Sequence, residues 1–175
     1  SPADEAVASL QREWAIVNYE KEGKQQLAAY LSLIDYAHKS VEKYPDDVAV
    51  LVWRGIIQSS YAGAKGGLGA LAYAKSAKID FERALERNPE VLGGSAYTSL
   101  GILYLNVPGW PIAFGDDGKA EVLLEKALAL NPKGIDANYF YADFLVGEKR
   151  YDEAEEHLTT ALNAPNRMGR ALADK

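Results

Sequence analysis

Ala-Leu pairs followed at short range by proline recur down the chain. Ala84-Leu85 leads to Asn88-Pro89, Ala127-Leu128 to Asn131-Pro132 and Ala161-Leu162 to Pro165, while Tyr44-Pro45 closes an earlier, degenerate copy. This self-similarity constrains the fold more than any compositional figure. A short unit cannot bury its own apolar face, so successive copies must stack on one another. Proline explains why each copy stops: it lacks the N–H that would extend a helical ladder and pushes its predecessor out of helical torsions.

Within the copies the apolar residues fall at helical spacing. Leu27, Leu31, Ile34 and Val41 form one stripe, and Leu123, Leu124, Ala127 and Leu128 another. No alternating strand pattern competes. The spacing predicts eight helices in four antiparallel pairs, over 4–21, 24–43, 47–62, 69–87, 91–105, 117–130, 135–147 and 151–163. Gly55, Gly101 and Ala142 occupy equivalent places in the first helices of the last three pairs. A small residue is expected there because neighbouring helices approach too closely for a large one. The first pair is weaker: Val7, Leu10, Trp14 and Val17 make an amphipathic helix that can serve as a cap.

The pattern resembles the tetratricopeptide repeat family, whose unit of about 34 residues has a small residue in its first helix, Ala in its second and Pro at the turn onward. In the last copy Ala142 stands 12 residues before Ala154, and Tyr151 opens the second helix. In the third, Tyr97, Leu100, Gly101 and Tyr104 follow the family's W-x2-L-G-x2-Y spacing with Tyr for Trp. The resemblance implies an all-α, right-handed α-α superhelix of about four helix pairs. One helical repeat domain is expected over residues 1–165, with a C-terminal tail over 166–175.

Two copies are too long. From Gly55 to Ala77 is 22 residues and from Gly101 to Ala120 is 19, where the fourth copy spends 12. The second and third pairs therefore carry insertions in their intra-repeat turns, expected along one shared edge. The first lies in Ala62–Gly69. Its Gly67-Leu-Gly69 segment lacks the strand-turn-helix setting of a dinucleotide site, and no Gly-Lys-Ser/Thr follows to make a phosphate loop. The second, Asn106–Asp117, holds Trp110 and Phe114 among prolines and glycines. These rings either present a preorganised apolar contact or tuck under the loop as a satellite core. Asp116 and Asp117 read as N-terminal helix caps, since Asp-Asp-Gly lacks the alternating spacing of a calcium loop.

Tetratricopeptide domains bind an extended peptide or helix in a groove lined by first helices. Carrying those positions across gives Ala49, Val52, Ile56 and Ser59, then Ser95, Thr98, Ile102 and Leu105, then Asp136, Tyr139, Asp143 and Val146. The candidate partner-binding residues are Trp110, Phe114, Tyr139, Asp143, Thr98, Ile102, Val52 and Ile56. The basic residues with which chaperone-binding members hold a terminal carboxylate are missing from these slots. A narrower resemblance, over roughly 51–145, is to the periplasmic T-component lipoproteins of tripartite (TRAP) transporters. It rests on Trp53, a Gly-Gly before a Leu-Gly-x-x-Tyr helix, a Pro/Gly loop and a helix ending Glu-Lys-Ala-Leu. That resemblance implies an accessory that handles a small apolar or acidic ligand.

The net charge of −6 repels nucleic acid and anionic lipid, and no basic patch offsets it. The absence of cysteine excludes disulfides, thiolate metal sites and thiol catalysis. No segment is long and apolar enough to span a bilayer. His38 and His157 fall in different copies, and carboxylate pairs such as Asp46-Asp47 and Glu155-Glu156 read as solvated helix ends and faces. Neither a catalytic set nor a cofactor or metal site is expected. Arg167 and Arg170 read as keeping the tail soluble rather than holding an anion. The start at Ser1-Pro2-Ala3-Asp4, without an initiator Met, fits either a trimmed chain or a mature protein whose signal peptide has gone, and a periplasmic or secreted origin is favoured over a cytoplasmic one. The function expected is a non-catalytic protein-interaction scaffold that docks a protein or peptide, with a small-molecule ligand as the alternative.

Overall fold

The computed structural model describes residues 1–167 and 170. Among the described residues there are eight α-helices and no strand: α1 (Pro2–Glu20), α2 (Gly23–Lys43), α3 (Val48–Lys65), α4 (Leu71–Arg87), α5 (Ser95–Asn106), α6 (Asp117–Leu130), α7 (Ile135–Gly147) and α8 (Tyr151–Asn163). Each odd helix packs on the even helix that follows it, and α1 also touches α3, as α5 touches α7. The fold is thus an all-α repeat of helix pairs.

Two boundaries differ from expectation for local reasons. Helix α3 runs on to Lys65, absorbing part of the first insertion, and stops where Gly66 and Gly67 take positive φ of 66° and 71°. Helix α5 begins at Ser95 rather than 91. Leu92, Gly93 and Gly94 there adopt φ of 51°, 65° and 86° in a short 3₁₀ turn, a conformation that two glycines make accessible.

The described residues resolve into two compact units, residues 1–87 together with 166, 167 and 170, and residues 88–165. In the first, α3 is the central element. Its partners α1, α2 and α4 surround it, so the run Val50-Leu51-Val52-Trp53 is buried on every face rather than along a stripe. Gly55 lets α4 close in: a Cβ there would lie 2.6 Å from the ring of Phe81, itself 0% exposed. Beside that contact the Arg54 guanidinium donates to both carboxylate oxygens of Asp80, at 2.9 and 2.7 Å. Gln58 adds a third donor to Asp80 at 3.1 Å. Asp80 is 2% exposed, and removing one partner of such a pair typically costs about 3–5 kcal/mol.

The second unit repeats the device with different residues. A Cβ on Gly101 would stand 3.0 Å from Leu124 and 3.3 Å from the Ala120 carbonyl. Ala142 and Ala154 meet in the cluster of Leu124, Tyr141, Phe144 and Leu145. Arg150, at the start of α8, ties α8 to α6 by bonding Glu153 at 2.7 Å and Glu121 at 2.8 Å. Its hydrogen bond is the main reason the Glu153 carboxyl is held below the usual carboxylate range.

Two outcomes follow from this packing. Gly101→Val forces methyls into Leu124 and should destabilise the chain by about 1–3 kcal/mol, read as a lower urea midpoint at unchanged slope. Tyr30, buried in the first unit with its hydroxyl donating to Asn18 at 2.7 Å, has its pKa pushed up by burial to about 12. Its neutral form is the one the fold favours. Its contribution is complete below the unfolded value of about 10 and disappears as pH rises towards about 12, a loss of roughly 2–3 kcal/mol. Urea midpoints should therefore fall more steeply between about pH 9 and 11.5 for the wild type than for Tyr30→Phe.

Candidate partner-binding site

The second insertion is a closed loop between α5 and α6. Its ends are joined by backbone bonds, Gly115 N–H to the Pro108 carbonyl at 2.9 Å and Asp116 N–H to the Tyr104 carbonyl at 3.0 Å. Within it the N–H groups of Ile112 and Ala113 both point to the Gly109 carbonyl, at 3.1 and 3.2 Å. These bonds close the loop without a strand or helix. Gly115 is required by this closure, because a Cβ there would run into the Val107 carbonyl. Asp116 caps α6 by accepting from the Lys119 N–H at 2.9 Å, and Asp117 is the first helical residue.

The two aromatic residues of the loop part company. Phe114 turns inward and meets Tyr104 edge to face at 5.5 Å between centroids. Trp110 stays out, 90% exposed, beside Ile112 at 60%. One ring anchors the loop and the other is displayed by it. In the first insertion Leu68 is likewise exposed, at the tip of the turn after Gly67.

The groove positions also divide. On α7, Tyr139, Asp143 and Val146 are all exposed and fall at i, i+4 and i+7 on one stripe, with Tyr139 set edge to face against Phe140. Ile56 and Ile102 are half-buried. Val52 and Thr98 correct the expectation: they are 0% and 6% exposed and have no open surface to offer a partner. Transferring positions from a repeat pattern misplaces Val52 because α3 is enclosed by three neighbours rather than two, and Thr98 because it lies on the packed side of α5.

Each histidine has a polar partner of its own. The His38 Nδ1 lies 3.5 Å from Arg54, a group that can only donate, so this nitrogen is the acceptor. The Asn138 amide donates to the Pro132 and Gly134 carbonyls, at 2.9 and 2.8 Å. Its oxygen is left to accept from His157 Nδ1 at 2.8 Å, which bolts the turn before α7 to α8.

One arrangement escaped the sequence reading. In the first unit Trp14 of α1 and Trp53 of α3 meet edge to face at 5.6 Å, and Trp14 donates its indole N–H to Ser60 at 2.9 Å. The guanidinium of Arg170 lies over both rings, 6.0 Å from the centroid of Trp14 and 5.6 Å from that of Trp53. The tail arginine expected merely to solubilise is instead held against aromatic faces. The pairing of Arg54 with Asp80 was also missed, although an Arg and a Gln four residues apart in an otherwise apolar helix are a signal of a buried acceptor.

Helix pairs closed by small residues, with exposed aromatics on one loop and one helix face, define an α-helical repeat protein without a recognisable catalytic constellation among the described residues. Residues 112–173 match the family model described as tetratricopeptide repeat. Among solved structures, the crystal structure of MamA aligns at 19% identity with a TM-score of 0.43, covering 79% of this chain and 90% of that one. No curated protein matches the chain.

The loop geometry is testable by itself. Gly115→Ala must open the Pro108 to Gly115 closure, so limited proteolysis should cut between residues 107 and 116 on the order of tenfold faster than in the wild type, with little change in global melting.

Proposed function

We propose that the chain is a non-catalytic docking scaffold whose partner, a protein or peptide with an apolar pocket, seats on Trp110. The observation that carries this reading is the indole held 90% exposed on a loop whose backbone is closed and whose other ring, Phe114, is anchored on Tyr104. An indole presented this way has few torsions left to freeze on binding, and aromatic anchors of that kind dominate interface energetics. The tetratricopeptide match over residues 112–173 supports a protein rather than a nucleic-acid partner, as does the charge of −6. The exposed stripe of Tyr139, Asp143 and Val146 in the same unit provides further contact area of mixed character.

The experiment is affinity capture with the wild type, Trp110→Ala and Tyr139→Ala, followed by calorimetry on whatever the wild type retains. Trp110→Ala should leave the unfolding free energy from urea denaturation within about 0.5 kcal/mol of the wild type, as an exposed side chain allows. It should weaken the recovered partner by about 2 kcal/mol, roughly thirtyfold. Full retention by both variants overturns the assignment of this surface.

A further inference from the structure

The first unit holds a second arrangement that uses none of the residues on which the scaffold reading rests. Trp14 comes from α1 and Trp53 from α3, the first helices of two successive pairs, which touch one another directly. Their rings stand 5.6 Å apart at 62°, so they present two faces converging on one position. Ser60 fixes the orientation of Trp14 by accepting its indole N–H. The guanidinium that occupies this position belongs to the chain's own tail: Arg170, half-buried, with its backbone N–H donating to the Arg167 carbonyl at 3.2 Å.

Converging indole faces attract a planar cation through their ring quadrupoles, and Trp is the best of the aromatic residues at doing so. Arginine suits the site better than lysine because its flat, weakly hydrated head stacks as well as carrying charge. The resident also leaves one group unmet. Trp53 is 3% exposed and its indole N–H is buried with no hydrogen-bond partner among the described residues. An incoming main chain brings carbonyl oxygens that the side chain of Arg170 lacks.

We propose that the Trp14–Trp53 pair is a recognition site for an arginine side chain on a partner peptide, and that Arg170 is an internal stand-in that such a peptide displaces. The tail then acts as a competitor. Because a stand-in lowers the fraction of free sites, its removal tightens the apparent affinity by that fraction. Cation–aromatic contacts are individually modest, so a partner peptide that adds contacts of its own can displace the stand-in.

The test uses the full chain in a Trp110→Phe background, so that indole emission reports Trp14 and Trp53 alone among the three tryptophans. Arg170→Ala, which lies outside every helix, should shift that emission while leaving far-UV circular dichroism unchanged. The peptide acetyl-Ala-Arg-Ala-amide is titrated into both chains, with the citrulline analogue as a neutral control of the same shape. The arginine peptide should bind the Arg170→Ala chain about threefold to thirtyfold more tightly than the chain that keeps Arg170, and the citrulline peptide should bind neither. All three results are required. Unchanged emission removes the stand-in, equal affinity for the two chains removes the competition, and equal binding of citrulline or no binding of arginine removes the site. Trp110 and Tyr139 enter none of these readouts, so failure here is distinct from failure of the scaffold reading.

Discussion

The fold depends on how closely the two helices of a pair can approach, and glycine sets that distance. Gly55 leaves room for the ring of Phe81, and Gly101 for Leu124. In the α3–α4 pair the apolar contact has a polar neighbour on each side of the interface: Arg54 precedes Gly55, and Asp80 precedes Phe81. The ring in its notch sets the separation, while the bidentate guanidinium–carboxylate pair, whose geometry tolerates no slippage, sets the register. Neither contact suffices alone. A buried carboxylate must be matched by its donors, and the donors reach it only when the helices are close.

How much of this was legible in the chain can be read residue by residue. The helix ends at Lys43, Arg87, Leu130 and Asn163 fall just before the prolines because the stop is a local property of the backbone. The roles of Gly55, Gly101 and Ala142 followed from spacing: a small side chain recurring at the same place in successive first helices marks where two backbones come close. The start of α5 was not legible, since Gly93-Gly94 permits both a helical entry and the left-handed turn that Leu92 shares. Burial of Val52 and Thr98 was hidden by tertiary context, because only the arrangement of neighbouring helices decides whether a helix has a free face. Arg170 was hidden more deeply. Its partners lie more than a hundred positions away, and nothing in the tail's composition points to tryptophan.

The two units handle aromatic surface in opposite ways. In the second, Phe114 is sunk against Tyr104 so that Trp110 can be held out. In the first, Trp14 and Trp53 are drawn together and covered by a cation from the chain itself. An exposed indole offers an anchor to any apolar pocket of suitable shape. A covered pair is more selective, because whatever replaces the cation must carry charge as well as area.

The closure of the loop between α5 and α6 separates its tip from the helices it joins. The bonds that complete the loop lie at its base, from Gly115 to Pro108 and from Asp116 to Tyr104, and the cap on α6 is made by Asp116 itself. The helix termini are therefore completed by residues at the base of the loop and not by the tip that holds Trp110. Residues at the tip can change in number as well as kind, since lengthening an already closed loop adds only a slowly growing entropy. The tip is therefore a place where a foreign epitope can be grafted without disturbing the helices on either side.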